Sequence, residues 1–267
     1  GIHYFTVSCV LVPSLTVLYV HMRNGRGSER LLLAALVMTA ISLLIPILCV
    51  SRFQLVFAVL LAAFTYISLQ KLFHPGWLFG LFVVMIPFYL ILTVARSHNI
   101  EYLNGIFEMK NASMPIFVSQ PYIYIANNYD NFNFLVGALP GHSFGLKGLV
   151  PLWALSGLKF FFPQLINFPI YVDKTELTTL TLFYDSYYDF GWIGVLLFSC
   201  ILGAIAYILV VKLREMRNPL GYLLYAQFAA YLMLSFFTTW FSNTTTWFYL
   251  ILTGIMALFY HLRASRW

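Results

Sequence analysis

The sequence predicts an all-α fold, a polytopic helical membrane protein, and three observations carry that prediction. Of the 267 residues, 61% are hydrophobic, against about 45–50% in soluble domains. Only 9% are charged, where a soluble domain has about 25%. Several apolar runs also exceed the roughly 18 residues that a helix needs to cross a bilayer. Long continuous runs exclude a transmembrane barrel, whose strands alternate over short segments.

Seven spans follow in order, at about 2–20, 31–50, 55–70, 78–95, 190–211, 219–238 and 245–260. The third lies near the lower length limit for crossing. The first four (1–95) and the last three (190–267) are expected to form one integrated membrane domain around an external loop, 96–189. The chain opens on Gly1 with a span-like segment and no charged leader, so it is expected to start partway through a longer protein. Cys9, Cys49 and Cys200 lie inside apolar runs without metal-ligand spacing and read as small buried hydrophobes.

The net charge of +6 and pI near 9.2 are explained by topology rather than by nucleic acid. Arg23, Arg26, Arg30, Lys71, Lys212, Arg214, Arg217, Arg263 and Arg266 all fall on one side if the spans alternate, and the positive-inside rule makes that side cytoplasmic. The acids Glu101, Glu108, Asp130, Asp173, Glu176, Asp185 and Asp189 then lie outside or at the outer boundary.

Ordered loops longer than about 12–15 residues tend to be functional. Within the external loop, Ile100, Leu103, Ile106 and Phe107 recur at helical spacing, and residues 149–162 (LVPLWALSGLKFFF) suit the outer membrane interface. Residues 119–134 alternate aromatics with amides, which suits either sugar stacking or a tyrosine-rich interfacial belt.

Chemistry is expected at a few places. Arg52 and Arg96 each follow an apolar span on the side where positive charge is disfavoured, and two guanidinium forks there can hold a lipid-linked diphosphate or merely snorkel to headgroups. In YDSYYDFGW, residues 184–192, Asp185 and Asp189 sit i, i+4 on one helical face, with Tyr184 and Tyr188 on the next. Paired carboxylates favour one raised pKa, useful to a general base, while Asp189 also reads as a helix N-cap and Asp185 as a solvated acid. His98 lies near Arg96 as another candidate base; His142 reads as a surface histidine. The external turn 238–247 places hydroxyls and Asn243 between Trp240 and Trp247, fit for a sugar-binding wall or a polar turn anchored in the aromatic belt. No nucleotide-binding glycine loop, zinc-protease motif or nucleophile elbow appears, so neither ATP nor another soluble cofactor is expected.

The Ser51-Arg52 junction, the second outer arginine, the large external loop and the late YDSYYDFGWIGVLLFSCILGAI entry together resemble the Wzy-type oligosaccharide repeat-unit polymerases of bacterial O-antigen and capsule synthesis. Tyr-Asp-Phe-Gly-x-x-Gly, Tyr188 to Gly194, is the most specific element, and Tyr122 to Phe132 is similar to the family's external Tyr/Asn-rich segment. The resemblance implies a GT-C-like glycosyltransferase in the bacterial inner membrane, with its active site facing the periplasm or outside. It would join undecaprenyl-diphosphate-linked glycans, donor and acceptor, without a metal. Arg52 and Arg96 would hold the diphosphate; the acceptor proton needs a base, for which Asp189 comes first and Asp185 or His98 after it, a choice the resemblance does not settle. Tyr124, Asn128, Tyr184, Tyr188 and Trp240 would contact sugar. Membrane lipids and a chain-length regulator are the expected partners, and nucleic acid is not. Two rivals stand beside it: an O-antigen ligase that passes the glycan to a lipid A core, and a transporter or flippase of lipid-linked sugars. Clustering of charge at the faces rather than the midplane disfavours transport.

Overall fold

The computed structural model describes residues 2–23, 28–49, 51–70, 76, 79–80, 83, 100–213 and 215–264, save the side chains of Ile2, Arg52 and Ala264. Among these residues every regular element is helical. Among the described residues, five helices are long and apolar enough to cross a membrane: His3–Arg23, Glu29–Leu48, Phe53–Gln70, Tyr184–Leu213 and Thr244–Arg263. The chain divides into two compact units, one comprising 1–98, 208–230 and 249–267, the other 99–207 and 231–248.

In the first unit, α1 (Ile2–Val7) runs through a 3₁₀ turn, Ser8–Leu11, into α2 (Val12–Arg23), followed by α3 (Glu29–Leu48) and α4 (Arg52–Gln70). Val10, Leu11, Leu18, Phe57 and Leu61 are buried there. Small hydroxyl residues let helices in a membrane approach and bond to one another: Thr39 Oγ1 donates to Thr16 Oγ1 at 2.8 Å. The Tyr249 hydroxyl donates to the Val7 carbonyl at 2.8 Å, where the 3₁₀ turn interrupts the α-helical ladder. Arg23 at the end of α2 pairs with Glu29 at the start of α3.

The second unit begins with α5 (Ile100–Ile106) and the 23-residue α6 (Ile116–Ala138), joined by a cluster of Phe107, Ile116 and Ile123 with Leu103 and Ile106. Along α6 the usual pattern is inverted. Asn127, Asn128 and Asn131 are buried, while Tyr122, Ile125 and Tyr129 on the other face are exposed. Burial of an amide is tolerable only when it is bonded, and these three bond backbone. Asn127 and Asn131 both donate to Leu177 O, Asn131 also to Thr179 O, and Asn131 Oδ1 accepts from Asp173 N–H. The amides of Asn127 and Asn131 thus hold the irregular stretch 173–179, which lies outside any helix.

The predicted interfacial segment 149–162 forms α7 (Val150–Leu155) and 3₁₀ turns at Leu158–Phe160 and Pro163–Leu165. Phe160 and Phe161 stand 79% and 78% exposed. α8 (Tyr184–Leu213) starts six residues before the expected span, which was placed at 190. α9 (Leu220–Met233) has only 14 residues, about 21 Å at 1.5 Å per residue, short of the roughly 30 Å hydrocarbon core. The expected sixth span, 219–238, is therefore cut at Met233. Beyond it the carbonyls bond outside any helix: Leu234 O accepts from the Trp240 indole, Ser235 O from Leu182 N–H and Phe236 O from the Asn128 amide. α10 (Thr244–Ala264) completes the order. Most of the expected fourth span, 78–95, lies outside the described residues.

Candidate active site

The YDSYYDFGW stretch folds as a broken helix head. Tyr184 to Asp189 make the first turns of α8, then Phe190 (φ −138°, ψ 15°) and Gly191 (φ 62°, ψ −149°) leave helical geometry before the long span resumes. Gly191 sits in a region open essentially to glycine alone, and a Cβ there would lie 3.1 Å from His142 Nε2. Gly194 is needed for a different reason. The break folds the first turns back so closely that a Cβ at 194 would fall 2.2 Å from Ser186 O. Both glycines of the Asp-Phe-Gly-x-x-Gly element are thus explained by backbone geometry.

A helix break releases carbonyls, and released carbonyls need donors. The loop from Gly141 to Gly148, GHSFGLKG, supplies them. Ser143 N–H donates to Tyr188 O at 3.3 Å and Phe144 N–H to Asp189 O at 3.1 Å, with His142 Nδ1 also 3.3 Å from Tyr188 O. The loop can turn this tightly because Phe144 and Gly145 take positive φ, 50° and 94°.

Asp189 completes the clasp. Its carboxylate accepts from the Ser143 hydroxyl, from Lys147 N–H at 3.1 Å and from Gly148 N–H at 2.8 Å. It caps the loop rather than its own helix, and a Cβ on residue 148 would stand 2.8 Å from its Oδ2. Its lone pairs are largely spent.

Asp185, one turn earlier, is 5% exposed and differently placed. Lys147 Nζ lies 3.6 Å from Oδ1, an ion pair too long for a hydrogen bond, and Oδ1 has no hydrogen-bond partner. The hydroxyls of Ser242 and Thr239 approach the same carboxylate. Lys147 is itself buried, its ammonium 4.4 Å from the centre of the Tyr188 ring and 5.7 Å from those of Phe168 and Tyr184. Aromatic faces and one carboxylate replace water around this cation. Tyr184 is locked by its hydroxyl, which accepts from Tyr171 N–H and donates to Tyr171 O.

Beside this cluster lies a cavity of about 560 Å³, within the roughly 300–1,000 Å³ range of small-molecule sites. Asp185, Ser186, Asp189 and Ser242 form its polar part, and its walls include Phe144, Phe190, Phe198, Phe241 and Trp247. Leu197 and Ile201 extend it along the exposed face of α8. The arrangement can accept hydrogen bonds at one end and cover an apolar surface with aromatic rings along the rest.

Of the residues singled out from sequence, Asp185 and Asp189 come together here, as do Ser242 and Trp247 from the turn 238–247. Tyr188 and Tyr184 contribute to the lysine cage, while their rings pack in a core with Leu135. The other expected sugar contacts hold the fold in place. Asn128 is fully buried, donating to Tyr124 O and Phe236 O at 2.5 Å each. Tyr124 packs edge-on against Phe237, and the Trp240 indole donates to Leu234 O at 3.0 Å. None of these three lines the cavity. Arg52 opens α4, but its side chain, like the whole of Arg96 and His98, lies outside the described residues. Lys147, Ser143 and Gly148 were not singled out from the sequence. Their signal was a lone lysine between glycines in an apolar stretch, GLKG, which has meaning only once the loop is seen to close on Asp189. Among the described residues, no group of three or more His, Cys, Asp or Glu side chains could hold a metal ion.

No protein-family model matches this chain, and neither the curated proteins nor the solved structures contain a match.

Proposed function

We propose that this membrane protein is a glycosyltransferase that polymerises lipid-diphosphate-linked oligosaccharide repeat units, with Asp185 as the general base. The observation that supports the reading best is a buried carboxylate, one oxygen of which has no hydrogen-bond partner, at the polar end of an aromatic-lined cavity on a membrane-spanning helix. In the reaction, Asp185 takes the proton of an acceptor sugar hydroxyl. The oxygen then attacks the anomeric carbon of the donor glycan, and the bond from that carbon to the diphosphate breaks with the electron pair leaving on the lipid diphosphate. Arg52 and Arg96 are assigned to stabilise that leaving charge, as preorganised cations do. Undecaprenyl diphosphate as carrier, the GT-C-like architecture and an outward-facing site in a bacterial inner membrane belong to the same reading.

Asp185 takes precedence over Asp189 here because Asp189 already accepts three hydrogen bonds from the clasp loop. The test is polymerisation in nanodiscs from native lipid-linked repeat units, with and without EDTA. A ladder of longer lipid-linked glycans that survives EDTA, and is lost in a folded Asp185→Asn protein, is the expected result. Transfer to a lipid A core without a ladder would replace this reading by a ligase. Movement of the lipid-linked units across the bilayer without any transfer would replace it by a transporter.

A further inference from the structure

We infer that the cavity at the head of α8 seats the uncharged sugar end of an acceptor and excludes the diphosphate of a donor. The assignment of the ligand as an acceptor rests on the proposed function; the chemistry of the seat does not. Every side-chain group at its polar end is a carboxylate or a hydroxyl: Asp185, Asp189, Ser186 and Ser242. Lys147, the cation paired with Asp185, is turned away into a cage of Phe168, Tyr184 and Tyr188. Two acids face one lysine in this cluster.

Among the described residues, a phosphate brought to this end would meet two carboxylates, and in a partly desolvated site that repulsion is weakly screened. Sugar hydroxyls are the opposite case, since a hydroxyl can donate to a carboxylate. The walls suit the rest of a sugar, because Phe241 and Trp247 can cover the apolar face of a pyranose ring. Trp247 is held for this by its indole N–H, which donates to Phe241 O at 2.6 Å. Leu197 and Ile201 open the seat toward the exposed side of the span, so an amphiphile can enter with its tail along α8.

The experiment uses an octyl glucoside carrying a diazirine on its alkyl chain, cross-linked to the protein in nanodiscs and mapped by peptide mass spectrometry. Labelling is expected within 144–149, 197–201 or 241–247. Plain octyl glucoside should compete it at a concentration at least about tenfold lower than octyl phosphate, because only the phosphate meets like charge. Leu149→Trp, which fills the seat from an exposed wall position, should abolish the labelling while leaving the thermal unfolding profile in place. Labelling elsewhere, survival of labelling in Leu149→Trp, or equal or better competition by the phosphate overturns the inference. The two proposals fail separately. Specific glucoside labelling in a protein that makes no polymer removes the polymerase and keeps the seat, whereas polymer formation with labelling elsewhere does the reverse.

Discussion

Replacing Asp189 by alanine tests whether this carboxylate holds the clasp between the 142–148 loop and the broken head of α8. The wild-type side chain accepts from Ser143 Oγ, Lys147 N and Gly148 N. Removing it strands two backbone donors, Lys147 N–H and Gly148 N–H. A buried donor left without a partner costs about 1–3 kcal/mol, so the two together cost about 2–6 kcal/mol. Water entering from the cavity beside Gly148 would pull the figure toward the lower end. Local opening measured by hydrogen exchange converts this to amide exchange at least about 30-fold faster at residues 143–150, since 1.4 kcal/mol is tenfold. Asp189→Asn should show a smaller increase, because its amide oxygen still accepts while its NH₂ faces a donor. Exchange in Asp189→Ala unchanged within about threefold would refute the clasp. Asp189 would then be free for a chemical role.

Three further outcomes follow from the same geometry. Gly191→Ala should destabilise the protein by about 1–3 kcal/mol, because alanine is strained at φ 62° and presses on His142; circular-dichroism melting in detergent reads it, and an unchanged melt would mean that the helix break relaxes freely. Lys147→Met should cost about 3–5 kcal/mol by leaving Asp185 buried without its counter-ion, and adding Asp185→Asn should recover most of that loss; strictly additive effects in the double-mutant cycle would show the pair to be uncoupled. Nitroxides placed at Phe160 and Phe161 in nanodiscs should collide more with oxygen than with a water-soluble nickel complex, because these exposed rings suit a lipid interface; the reverse preference would put the 149–162 segment in water.

Much of the scaffold was legible because a span announces itself locally. Twenty apolar residues in a row require no knowledge of the rest of the chain, and five of the seven expected spans correspond to helices long enough to cross. The sixth failed for a reason that local hydropathy cannot contain. Leu234, Ser235 and Phe236 are apolar or small enough to continue a helix, but their carbonyls are claimed by Trp240, Leu182 and Asn128. The i, i+4 spacing of Asp185 and Asp189 was likewise legible, and they line one cavity with Ser242 and Trp247 of the 238–247 stretch that the sequence singles out.

Residue type alone could not say which polar side chains face a ligand and which face backbone. Asn128 and Trp240 looked like sugar-binding groups, and both spend their hydrogen bonds on main-chain carbonyls within the unit. Nor could it separate the two aspartates, which are chemically identical and four residues apart. The sequence by itself determined a helical membrane protein with an acidic, aromatic entry into a late span. Tertiary structure decided the division of labour. The break at Gly191 exposes carbonyls, the loop that satisfies them brings Ser143, Lys147 and Gly148 to Asp189, and Asp185 is left beside a cavity with a caged lysine behind it. Those partners lie about forty residues away along the chain, and only the folded backbone puts them within hydrogen-bonding distance.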